Sequence, residues 1–138
     1  RGRKNYMLKF LQVNVNPKKR KTADCSTRAL TSCLNIDYDD ALDLQLEEVK
    51  KCYYDFTSRQ VIERVLKRFG YVKCKTPRKN DNTRYMVKEM DQVLTKEQLK
   101  NGVIVNVARH YVVLKDDYYI DAWNSGNYCV GNYYVKLN

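Results

Sequence analysis

Residues 103–123 read VIVNVARHYVVLKDDYYIDAW. Val103 to Ala108, His110 to Lys115 and Tyr118 to Trp123 are three runs rich in Val, Ile and Tyr, parted by one or two residues. β-branched and aromatic side chains fit the pleated, half-buried surface of a sheet, so these runs predict consecutive antiparallel strands. A fourth run, Tyr128 to Leu137, extends the meander. Before Gly102 the apolar period is helical. Asp24 to Asn35 reads as a helix capped by Thr22 or Asp24, with Ala29, Leu30, Cys33 and Leu34 as its stripe. Asp39 to Phe56 reads as a second, with Leu42, Leu46, Val49, Tyr53 and Phe56 on one face. A third begins at the capping box Thr57/Gln60, buries Val61, Ile62, Val65, Leu66 and Phe69, and stops at Gly70. Thr95/Gln98 repeats the box for a short helix closed by Asn101-Gly102, and Tyr71 to Lys75 and Tyr85 to Lys88 are short strand candidates. Helices first and a meander afterwards predict an α+β domain, with N-terminal helices packed on a C-terminal antiparallel sheet.

The chain has 138 residues, a length suited to one core, here placed at 7–138 with residues 1–6 as an N-terminal extension. Apolar residues make up 43%, and only five glycines and two prolines occur, which excludes a disordered or low-complexity chain. No apolar run reaches the roughly 20 residues that cross a bilayer. Leu8 to Val15 is broken by Lys9, Gln12 and Asn14, so no signal-peptide core follows the basic N-terminus. A soluble cytoplasmic protein without membrane contact is the expectation. Five cysteines form an odd set, which argues against a disulfide framework. No CxxC pair exists and His110 is the single histidine, so no metal or other cofactor is expected.

A nucleophilic thiol needs a lowered pKa, a base within reach and a group that holds the base. Cys25 opens the first predicted helix, where the backbone dipole favours a thiolate, and the cationic run Lys18-Lys19-Arg20-Lys21 lies just upstream. Asp24 beside it acts in the opposite sense unless engaged elsewhere. Cys33 and Cys52 fall on helical stripes, the lysines flanking Cys74 point to the other face of a strand, and Cys129 has no neighbouring charge. The base at neutral pH is most simply His110. If Asp116-Asp117 is a two-residue turn, Lys115 faces Tyr118, His110 falls opposite Trp123, and Val112 falls opposite Asp121. Asp121 then lies diagonally from His110 on the same face, about 5.5–8 Å away between Cβ atoms. A turn one residue longer or shorter sends Asp121 to the opposite face. Each residue also has a plain structural reading: Cys25 as a small buried hydrophobe, His110 as a half-exposed strand residue, Asp121 as a turn former.

Taken together, Asn16-Pro17, Thr22 to Leu30 around Cys25, His110 to Asp116, Asp121-Ala122-Trp123-Asn124 and Tyr133-Tyr134-Val135 resemble the small papain-like cysteine peptidases of phages and bacteria. Those are related to the cysteine domains that trim bacteriocin leader peptides. The likeness covers both ends of the chain, while the helical middle matches only in layout. It implies a papain-like fold, a peptide or protein substrate, Cys25 as nucleophile, His110 as general base and acid, and Asp121 as its orienter. Bacterial cytoplasm, including that of a phage host, is the implied setting. The chain departs from the family at Ala23, where glycine is usual, at Asn124, where aspartate is frequent, and at Lys19, where leader peptidases carry glutamine. Asn16 is therefore the candidate oxyanion donor, with Asn14 and Gln12 as alternatives. Peptidase, deamidase and transglutaminase chemistry all remain open.

A net charge of +10 and twelve tyrosines also suit a nucleic-acid binder touching phosphates through Lys18–Lys21. No recognised reader motif accompanies them, and such a run is commonly a solvated face. A third reading is an idle relative that binds and inhibits a host protein.

Overall fold

A computed structural model describes residues 7–137; the proposed extension at residues 1–6 lies outside the described residues. The chain runs β1 (Lys9–Gln12), α1 (Cys25–Leu34), α2 (Tyr38–Cys52), α3 (Arg59–Arg68) and β2 (Tyr71–Cys74). A 3-10 helix (Val87–Gln92), α4 (Lys96–Asn101), β3 (Val103–Val107), β4 (His110–Lys115), β5 (Tyr118–Asp121) and β6 (Tyr133–Lys136) follow. The fold class is α+β. The six strands form one sheet in the order β1-β5-β4-β3-β6-β2.

The sheet is mixed rather than purely antiparallel, because β1 joins its edge parallel to β5. Lys9 and Gln12 hide this strand in the sequence: an edge strand needs only one inward side chain, and Phe10 supplies it by packing 5.5 Å from the Tyr119 ring. The expected fourth run shortens to β6, which pairs with β3 and β2 instead of continuing outward from β5. Residues 122–132 form a loop. Gly131 lies close enough to Asn106 that its N–H donates to that carbonyl at 2.8 Å. Tyr85 to Lys88 is no strand either; Val87 already begins the 3-10 helix.

Alternation along the strands fills both faces. Ile104, Tyr111, Val113 and Tyr134 meet Ala29, Leu30, Cys33, Ile62 and Leu66 of α1 and α3. Val103, Val105, Val112 and Leu114 meet Val87, Met90, Leu94 and Leu99 on the other side. Gly102, at φ +92°, lets α1 settle closely: a Cβ there would stand 3.0 Å from the Cys33 carbonyl oxygen. The Thr95/Gln98 capping box forms as expected. Ser58 rather than Thr57 caps α3, accepting from the Val61 N–H, while Thr57 turns back to Asp55.

Helix α2 presents a different face from the one its leucines suggest. Leu46 is 48% exposed and Tyr53 87%, whereas Ala41, Gln45 and Glu48 are buried. Polar bonds decide the rotation. Gln45 donates to Ser26 Oγ at 2.9 Å and accepts from Thr27 Oγ1 at 2.6 Å, tying α2 to the first turn of α1. Glu48 takes Arg64 at 2.8 Å and Arg68 at 3.0 Å. Burial opposes its charge, yet these guanidinium groups hold it below the usual carboxylate range. Glu48→Ala is expected to lower stability by about 1–2 kcal/mol in urea unfolding, since the arginines it releases are partly solvated. A change below about 0.3 kcal/mol would contradict this.

Candidate active site

Three elements converge at one end of the sheet. Leu30, Ala29 and Cys33 press α1 against the core, which leaves Cys25 at its N-terminus over the beginning of β4. β3 and β4 are joined by Ala108 and Arg109, both with positive φ (42° and 69°), the backbone of a tight two-residue hairpin turn. His110 follows at once. Lys115 pairs with Tyr118 and Val113 with Ile120, the register that a two-residue turn at Asp116-Asp117 requires. Asp121 therefore ends β5 on the same face as His110, and His110 Nε2–H donates to Asp121 Oδ2 over 2.7 Å. The imidazole also neighbours Cys25, and each of the two groups shifts the other's titration.

Burial disfavours the Cys25 thiolate, but the bond and charge of His110, the Tyr111 backbone N–H and the nearby Arg28 outweigh it, and the thiol falls below its ordinary range. Burial likewise disfavours the imidazolium, while Asp121 and Cys25 overcome it and push His110 up to about 9. Both shifts favour a thiolate–imidazolium pair at neutral pH.

The surroundings hold that pair in place. Asp121 Oδ2 also accepts from Ser125 Oγ at 2.7 Å, and Oδ1 from the Ala122 N–H at 2.7 Å. Arg28 joins Asp24 at 2.8 Å to Asp121 at 3.4 Å. Asp24 does not cap α1 with its side chain. Instead its oxygens take Arg28, Tyr38 Oη at 2.7 Å and Asn16 Nδ2 at 3.0 Å, so its charge is answered before it reaches the thiol. Trp123 stacks on His110 with ring centroids 4.2 Å apart, close to the position the strand register assigns it. Arg28 and Ser125 were not singled out by sequence reasoning. The signals were there: Arg28 is four residues after Asp24, and Ser125 four after Asp121.

Asn16, the candidate oxyanion donor, already has its side-chain amide engaged. Its Nδ2 is given to Asp24 and Tyr38, and its Oδ1 accepts the N–H groups of Lys18 and Arg20. Asn14 and Gln12 instead line a cleft of about 650 Å³ bounded by Arg20, Lys21, Ala23 and Trp123. Cys25 and His110 do not line this cleft; it adjoins them through Ala23 and Asp24, which precede Cys25 in the chain, and through Trp123, which stacks on the His110 ring. First-turn N–H groups of a helix have no intrahelical partner, and the Asp24 side chain satisfies none of them here.

No family model, curated protein or solved structure matches this chain. Its chemistry must be read from its own residues. Of the other thiols, Cys33 is buried against Tyr71, and burial pushes it up to about 11, while Cys129 is exposed. Among the described residues no cluster of His, Cys, Asp and Glu is arranged to hold a metal ion. No described helix is long and apolar enough to cross a membrane.

Proposed function

We propose that this protein is a papain-like cysteine hydrolase that cleaves amide bonds in a peptide or protein. The observation that carries the reading is the succession Cys25–His110–Asp121, with a cleft adjoining it through Asp24 and Trp123. The Cys25 thiolate attacks the substrate carbonyl carbon, and the carbonyl π electrons move to oxygen. That oxyanion is met by the Cys25 backbone N–H and by the Asn14 side-chain amide, whose Nδ2, among the described residues, otherwise holds only a 3.5 Å contact to the Arg20 carbonyl. His110 gives its proton to the amine as the C–N bond breaks, leaving a thioester. Water then attacks with His110 as base, and the acid product departs from Cys25. Asp121 keeps the ring oriented and stabilises its charge. With a glutamine side-chain amide as the acyl donor and ammonia as the leaving group, the same thioester gives deamidation when water resolves it and transglutamination when an amine does.

The test is turnover of a mixed peptide library followed across pH. Activity needs Cys25 deprotonated and His110 protonated. The rate is therefore expected to rise through a thiol titration below the ordinary range and to fall through a limb near 9. A profile that climbs only at ordinary thiol pKa, with no fall near 9, would count against the proposal.

A further inference from the structure

We infer that the cleft lined by Asp24 and Trp123, next to the Cys25–His110 pair, selects peptide segments bearing a carboxylate side chain, which Arg20 and Lys21 engage; this rests on the amide-cleaving role proposed for Cys25. The charges bordering the cleft divide into two sets. Arg28 and Asp24 answer one another, and Arg28 also reaches Asp121. Arg20 and Lys21 are exposed, line the cleft, and are joined to no carboxylate among the described residues. Their placement is built into the loop. Buried Asn16 accepts the backbone N–H groups of Lys18 and Arg20, Lys19 N–H donates to the Asn16 carbonyl at 2.9 Å, and Lys19 Nζ reaches the Asn14 carbonyl at 2.7 Å. The basic run therefore curls around a fixed turn and delivers two cations to the rim of the cleft.

Two observations favour a peptide over a nucleic acid. The charge is gathered at a cavity whose volume falls within the roughly 300–1,000 Å³ typical of small-ligand sites, rather than along an open track. Tyr71, Tyr111, Tyr119 and Tyr134 are buried in the core, and the exposed Tyr53, Tyr54, Tyr118 and Tyr128 do not line the cleft, so no tyrosine platform accompanies its cations. The exposed aromatic ring at the cleft is Trp123, 44% accessible, which already stacks on His110 and gives an apolar wall to a short extended segment.

The experiment compares peptidyl acyloxymethyl ketones that differ only in carrying Glu, Gln or Lys at successive positions. Labelling of Cys25 is followed by mass spectrometry, with iodoacetamide as a small reagent that ignores the cleft. At one position or more, Glu should label roughly three- to tenfold faster than Gln, with Lys slower still. The advantage should shrink in 0.5 M salt, about where screening shortens to a few ångströms, and reverse in the double variant Arg20→Glu/Lys21→Glu. Fast iodoacetamide labelling of Cys25 with equal rates for all three probes would overturn the selectivity while leaving the nucleophile intact. Protection of Cys25 by a short oligothymidylate, without a Glu advantage, would overturn it in favour of nucleic-acid binding. Iodoacetamide labelling no faster at Cys25 than at Cys129 would remove the nucleophile and this inference with it.

Discussion

Cys25→Ala is expected to abolish turnover, with a loss on the order of 10⁴-fold or more, because no thiol is then left beside His110 to form the thioester. The fold should survive. Cys25 is half-buried at a helix end, and removing its sulfur leaves the clamp of Ala29, Leu30 and Cys33 on the sheet untouched. Cys25→Ser is a sharper version of the same test. A hydroxyl has an intrinsic pKa far above that of a thiol, so the helix N-terminus and His110 cannot ionise it at neutral pH, and activity should again be lost. Product formation from the peptide library, read beside thermal unfolding, separates catalytic loss from unfolding. Turnover retained in Cys25→Ala would end the assignment.

His110→Ala is expected to cost on the order of 10³-fold in kcat/KM, since it removes both the partner that ionises Cys25 and the acid that protonates the leaving amine. It acts on the thiol in a definite direction. With the imidazole gone, burial still opposes the thiolate, while only the Tyr111 N–H and Arg28 remain to support it, so the Cys25 pKa must rise. Asp121 is not orphaned by the change, because Ser125, the Ala122 N–H and Arg28 still hold it. Trp123 loses its stacking partner, and some stability with it. His110→Gln fills more of the space and keeps a polar side chain beside Asp121. It should be better folded yet equally inactive, which a purely structural role for His110 would not produce.

The parts of this arrangement that the sequence made readable are those ruled by short-range chemistry. Cys25 was placed by the start of a helix, and the His110–Asp121 relation by the two-residue turn Asp116-Asp117, whose register the strands obey. Long-range choices were hidden. Parallel addition of β1 is anchored by Leu8 in the core and by Phe10 against Tyr119, and leaves no period in the sequence. The face of α2 is set by Gln45 and Glu48 finding partners on α1 and α3, which outweighs the leucine pattern. Ala108-Arg109 adopts the left-handed turn that Asn-Gly would have announced, so the device that fixes the start of β4 carries no sequence signature. Asn16 has partners that its sequence position does not announce. Its position before the nucleophile suggested the oxyanion, but its amide had local backbone groups to satisfy, and it builds the turn that presents Arg20 and Lys21.

The most direct measurement is the pH dependence of Cys25 alkylation in the intact protein and in His110→Ala. Close pairing of sulfur and imidazole requires a titration midpoint clearly below the roughly 8.5 of a free thiol, moving up by at least about one unit when the ring is removed. Identical curves in the two proteins, both centred near the free-thiol value, would mean that Cys25 and His110 do not interact.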